Sequence, residues 1–163
     1  MIMRVCPLLL LLVIIYSCKS TSYFVVRHAE KEATATMVSD VPLSAQGKER
    51  AEALKDLLIS EHIRSIYSTD FLRTRSTAQP LAQTLKLGIQ SYEPGDSGFI
   101  KALRSKKENV LIVGHSNTVD NIVNNLMGAI VIPGDLADSQ YGDLFVIKRK
   151  GKHYSLDRRH FGK

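Results

Sequence analysis

The sequence predicts an α/β fold: a three-layer sandwich in which a mostly parallel central sheet carries helices on both faces. Three observations predict it. Short apolar runs alternate with amphipathic helical stretches over residues 23–127, the pattern of parallel strands buried on both sides. Polar residues follow three of those runs directly, at Arg27-His28, at residues 68–73 and at His115; in such folds ligands sit beyond the carboxyl ends of the strands. Third, the chain is 163 residues long, 44% hydrophobic and 23% charged. That is ordinary for one globular domain, enough to bury a core without disulfides or metals, and it leaves little room for a second domain.

The first segment differs in kind. Residues 8–16 (LLLLLVIIY) are an unbroken apolar run behind the single charge of Arg4. A bilayer span needs roughly 20 apolar residues, so this run fits the apolar region of a signal peptide instead. Ile15, Tyr16 and Ser17 then precede Cys18, which resembles the lipobox of bacterial lipoproteins. The expectation is a signal peptide over residues 1–17, cleavage before Cys18, and a lipid on Cys18 that ties an exported protein to a bacterial membrane. Plain secretion, an uncleaved anchor and a buried core strand are the alternatives. Loss of residues 1–17 removes Arg4 and Cys6, so the mature chain carries a net charge of +5 in place of +6. It also keeps no cysteine free for a disulfide. A basic surface suits nucleic acid, anionic lipid or phosphorylated substrates, and an exported address argues against nucleic acid. Several positive charges cluster near the C-terminus, where a solvated face explains them.

Along the remaining chain, residues 23–26 read as a buried strand ending at Arg27-His28, followed by a polar loop to about Pro42. Ala51, Leu54, Leu57 and Leu58 recur at helical spacing, with Ser44 as N-cap. Residues 63–67 form a second strand stopped at Ser68-Thr69-Asp70. Residues 71–85 read helical, with Pro80 expected to kink the helix or mark its restart. A strand over 89–92, a helix over 97–104 and a buried strand over 110–113 come next. Val119, Ile122, Val123, Leu126 and Met127 then give an amphipathic helix directly after Gly114-His115-Ser116. Strands over 144–148 and 153–156, joined at Lys150-Gly151-Lys152, close the chain.

Three segments carry a resemblance. YFVVRHAEK, YSTDFLRTRSTAQPLA and VLIVGHSNT are similar, in order and in register with the expected strands, to the signature segments of the histidine phosphatase superfamily, which includes the phosphoglycerate mutases. The resemblance spans residues 23–147 and makes residues 18–163 one histidine phosphatase domain. It implies that His28 attacks phosphorus and carries a phosphohistidine intermediate, while Arg27, Arg73 and His115 clamp the phosphoryl oxygens. The chemistry is consistent with those residue types. A neutral imidazole meets less repulsion from a phosphate dianion than a carboxylate would, and neighbouring cations should hold the pKa of His28 down. Positive charge around the phosphoryl group stabilises charge spread over its oxygens in the transition state. No cofactor is implied, and no metal, since no His/Cys/Asp cluster has ligand spacing.

Arg73 and Arg75 compete for one place, because residues two apart on a helix face different ways. The family spacing favours Arg73 and leaves Arg75 a surface charge. The helix opening at residues 114–117 offers N–H groups to an anion, with Asn117 a candidate contact. Lys31 is a second candidate for a substrate anion, a solvated lysine being the alternative. Ala29 stands where many relatives have Gly. His62, His153 and His160 match no motif and are expected in solvent.

The proton donor for the leaving alcohol is expected after the second helix. Asp96 is favoured there over Glu93, with Glu30 third; capping of the next helix explains the first two equally well. The expected function is metal-independent hydrolysis of a phosphate monoester, the partner being a small phosphorylated substrate. A phosphohistidine-protein phosphatase or a mutase is the enzymatic alternative, the short loops offering little lid for a mutase. A surface lipoprotein that binds phosphorylated glycans or phospholipids without turnover is the alternative of another class.

Overall fold

A computed structural model describes residues 20–33 and 40–162. The expected signal peptide, Cys18 and part of the polar loop after Glu30 lie outside the described residues. Six strands and four helices follow the order β1 (Thr21–Arg27), α1 (Ala45–Leu58), β2 (Ile63–Ser68), α2 (Leu72–Leu85), β3 (Ile89–Ser91), α3 (Ser97–Ser105), β4 (Asn109–Gly114), α4 (Ser116–Met127), β5 (Asp143–Lys150) and β6 (His153–His160).

The strands form one sheet in the order β3-β2-β4-β1-β5-β6. β1 pairs in parallel with β4, and β2 in parallel with both β4 and β3. β5 runs antiparallel to β1, and β6 antiparallel to β5. The antiparallel pair follows from the short Lys150–His153 connection: a tight turn with Gly151 at φ +63° joins only antiparallel neighbours. β6 is the outer strand, and its run of exposed charges protects that edge from further pairing.

Alternate residues of each central strand serve opposite faces. Phe24, Val26, Leu111 and Val113 pack with Leu54 and Leu58 of α1 and Ala78 and Leu81 of α2. Tyr23, Val25, Val110 and Ile112 pack with Leu103 of α3 and Val119, Val123 and Leu126 of α4. The three-layer sandwich is therefore as expected, with α1 and α2 on one face and α3 and α4 on the other.

Helix ends follow local chemistry. The Ser44 hydroxyl accepts from Gly47 N–H at 3.1 Å to open α1. Gly128 at φ +73° closes α4 in the left-handed conformation that glycine adopts without a Cβ penalty. Pro80 neither ends nor restarts its helix: α2 is one element across it. The buried face made by Thr77, Ala78, Leu81 and Ala82 runs past Pro80, and burial along it outweighs one missing backbone hydrogen bond. β5 and β6 extend past the expected bounds, to Lys150 and His160: Arg149 and Lys150 pair with Tyr154 and His153, and Arg158 and Arg159 continue the ladder opposite Phe145 and Leu144. His62, His153 and His160 are exposed, as expected.

Candidate active site

The carboxyl ends of β1, β2 and β4 meet at one edge of the sheet, and a cleft of about 910 Å³ opens there. Arg27, His28, Arg73 and His115 all line it, together with Lys31 and Asn117. Residues far apart in sequence are thus brought together by parallel strand pairing.

His28 leaves β1 with its own N–H donated to the Gly114 carbonyl at 2.8 Å, which pins it beside β4. Its ring Nδ1 lies 2.8 Å from the Ala29 carbonyl. A carbonyl only accepts, so Nδ1 carries the proton and the lone pair sits on Nε2. Burial holds the His28 pKa down to about 4, helped by Arg27, Arg73 and His115 and opposed by the Ala29 hydrogen bond. The neighbouring cations act as expected, but loss of water around the ring is the larger cause. The ring is therefore neutral near neutral pH, with its lone pair fixed on Nε2.

His115 caps the start of α4, and its centroid lies 5.4 Å from that of His28, edge to face. Its Nε2 meets the Thr69 hydroxyl at 2.9 Å, and Thr69 in turn donates to Thr74 at 3.0 Å. Since the Thr69 proton goes to Thr74, His115 donates from Nε2 and keeps its Nδ1 lone pair. Arg73 approaches that Nδ1 at 3.4 Å. Burial holds His115 at about 4 as well, with Arg73 and Arg27 adding to it.

The arginines are held by different means. The Arg27 guanidinium lies 4.3 Å from the centre of the Tyr141 ring and donates to the Ala137 carbonyl at 3.0 Å. It also meets the fully exposed Asp138 carboxylate at 3.2 Å. Arg73 lies over the Phe71 ring at 4.4 Å. Arg75 turns away, 3.4 Å from Asp70 and 3.3 Å from Ser91, as expected of a surface charge. One side chain ties the two halves together. Thr77 of α2 accepts the Ala29 N–H at 2.9 Å and donates to the Arg73 carbonyl at 2.8 Å.

The carboxylates divide differently from the expectation. Asp96 caps α3, taking Gly98 N–H at 2.7 Å, and it lines an adjoining groove rather than the His28 cleft; Glu93 lines the same groove. Glu30 is bound to the buried Arg50, 2.7 Å from its Nη2. Asp135 and Asp138 stand in the cleft instead, with Tyr141. The segment between α4 and β5 that carries them has no periodicity or motif to mark it. Among the described residues no group of His, Cys, Asp and Glu is placed to hold a metal ion, and no helix is long and apolar enough to cross a membrane.

Residues 23–94 match the histidine phosphatase superfamily (branch 1). No curated protein matches the chain in sequence. Among solved structures, the fold is similar to a putative phosphohistidine phosphatase SixA from Agrobacterium tumefaciens, with a TM-score of 0.61 at 21% identity over 85% of this chain and 97% of that one. It is likewise similar to the protein histidine phosphatase SixA complexed with tungstate, with a TM-score of 0.67 at 16% identity over 85% and 96% of the two chains. A putative alpha-ribazole-5'-P phosphatase from Escherichia coli gives 0.62 at 14% identity, over 88% and 96%.

Proposed function

We propose that this chain is a histidine phosphatase that hydrolyses phosphate monoesters through a phosphohistidine on His28, a reading that the match of residues 23–94 to that superfamily supports. The observation that carries the reading is the bond from His28 Nδ1 to the Ala29 carbonyl, which leaves Nε2 free among Arg27, Arg73 and His115. The Nε2 lone pair forms the P–N bond as the P–O bond to the alcohol breaks, and the departing oxygen takes a proton. Water then attacks phosphorus and gives up a proton that replaces the one taken by the alcohol, the P–N bond breaks, and His28 returns to its neutral form. Arg27 and Arg73 stabilise charge on the phosphoryl oxygens. His115, once protonated on Nδ1 beside the dianion, adds a donor. The Arg27 Nε is buried without a partner among the described residues. Such a donor costs roughly 1–3 kcal/mol until an acceptor reaches it. Lys31 and the first N–H groups of α4, with Asn117, extend the same positive rim.

Turnover of p-nitrophenyl phosphate by the full chain tests the reading. The expected result is activity that His28→Ala abolishes; phosphate binding without turnover across pH would leave a binding protein. For the leaving-group proton, Asp135 lines the cleft and Glu93 the adjoining groove, while Asp96 uses Oδ1 on α3. If one of them is the acid, its amide variant slows alkyl phosphates about 100-fold and spares p-nitrophenyl phosphate, whose leaving group needs little help.

The same placement supports a second reading, action on phosphohistidine. Both favoured acids lie outside the cleft, and a phosphoramidate carries a good leaving group. A phosphohistidine peptide turned over faster than any ester would establish it. The export and lipid anchor on Cys18 rest on residues 1–18 alone; lipid labelling that Cys18→Ala removes tests them without touching catalysis.

A further inference from the structure

We propose that the groove beside the phosphate cleft seats the leaving alcohol and selects a neutral, polyhydroxylated one, such as a hexose carrying a single phosphate. This rests on the phosphatase reading and names the part of the substrate which that reading leaves open.

The groove runs between α3 and α4, holds about 490 Å³, and shares Pro94, Asn117 and Thr118 with the His28 cleft. That volume is within the range of roughly 300–1,000 Å³ usual for small-molecule sites. An ester with phosphorus at His28 therefore has a continuous path for its alcohol across Asn117.

The wall chemistry selects what fits. Asn117, Asn121 and Asn125 of α4 recur every fourth residue, so they share one helix face along the groove. The Asn121 and Asn125 amide nitrogens donate to the carbonyls of Asn117 and Asn121 at 3.0 and 2.8 Å. Those bonds orient the side chains and leave their Oδ1 atoms as acceptors. Glu93 and Asp96 stand on the opposite rim, and no Lys, Arg or His lines the groove among the described residues. The wall is thus rich in acceptors and poor in cations. It suits hydroxyl donors and repels a second phosphate or a carboxylate. The remaining lining is apolar: Phe99, stacked on the buried Tyr92 ring at 4.4 Å and 8°, with Ile100 and Ile122. Such a surface matches the C–H face of a sugar ring. A lone ammonium would leave both the apolar floor and the amide row unused.

The test is kcat/KM of the full chain for a hexose monophosphate, a hexose bisphosphate, phosphoglycerate and phosphoethanolamine. The expected result is that the hexose monophosphate leads. Phosphoglycerate or the bisphosphate at equal or higher efficiency would overturn the proposal, and so would a lead for phosphoethanolamine. Asn121→Leu, at an exposed helix position, should raise KM for the hexose monophosphate about three- to tenfold, the effect of one lost hydrogen bond. Asn121→Lys should lower the preference for that substrate over phosphoglycerate about fivefold, as a surface ion pair allows. Asn125→Leu repeats the first test one turn along. Unchanged KM in both leucine variants, or an unchanged preference in Asn121→Lys, would sink the groove as the selecting element. Turnover of all four esters without discrimination removes this proposal alone; no turnover of any ester removes the phosphatase reading with it.

Discussion

Thr77→Val tests how His28, the proposed nucleophile, is held. Thr77 is 1% exposed, and its hydroxyl joins the His28 loop to the helix carrying Arg73 through Ala29 N–H and the Arg73 carbonyl. Valine keeps the shape but removes the acceptor, leaving the N–H of Ala29, itself 1% exposed, without a partner. A buried unsatisfied N–H costs roughly 1–3 kcal/mol, so about 2 kcal/mol of stability should be lost. The loop released is the one that accepts the Nδ1 proton of His28. A displacement near 1 Å there lowers kcat about 100-fold. Urea unfolding and steady-state turnover, measured on the same preparation, read both effects. Thr77→Ser keeps the hydroxyl and should recover most of the rate. A valine variant within about 0.5 kcal/mol of the parent, with unchanged kcat, would refute the tether. A serine variant as slow as the valine one would show that the hydroxyl alone does not hold the loop.

The acid limb of stability is set in part by His28 and His115, whose pKa values lie at about 4 in the folded chain against about 6.5 unfolded. The unfolded chain binds more protons between those values, so their contribution is present above pH 6.5 and is lost as pH falls toward 4. For His28 alone the shift amounts to about 3 kcal/mol; His28→Gln should flatten that part of a urea-unfolding pH profile, and an identical profile would contradict the buried neutral ring. Gly47→Ala would drive a Cβ into the Glu30 carbonyl, a backbone atom with nowhere to yield, whereas the same change at Gly88 meets nothing. Overpacking of about 1–3 kcal/mol should exceed the helix-propensity gain near 1 kcal/mol, so the Gly47 variant is expected to melt lower and turn over more slowly, and the Gly88 variant to match the parent.

Much of this site was legible because parallel strands deliver their carboxyl ends to one edge. Arg27, His28 and His115 each follow a buried apolar run, and the pairing of β1 with β4 sets them side by side. Arg73 could be chosen over Arg75 from spacing; in the structure Arg73 lines the cleft and Arg75 turns to Asp70. What escaped was held by contacts without a local pattern. Tyr141, Asp135 and Asp138 reach the cleft on a segment fixed by backbone bonds, such as Leu136 N–H to the Ser116 carbonyl at 3.0 Å. No periodicity announces such bonds. Arg50 joins Glu30 to the Phe161 carbonyl, which lies 2.7 Å from Arg50 and 111 positions beyond it in sequence. Asp96 satisfied the expected position yet serves α3 as its N-cap, because a carboxylate ahead of a helix suits either role. At Pro80, local propensity yielded to the buried face of α2.

The most direct test of His28 as nucleophile is to quench the full chain during turnover of a radiolabelled phosphate ester and locate the label. The expected result is an acid-labile, alkali-stable phosphoramidate on His28, absent from His28→Ala and consumed at a rate matching turnover. Turnover with no label at His28, or a label on another side chain that forms fast enough to account for it, would contradict the mechanism.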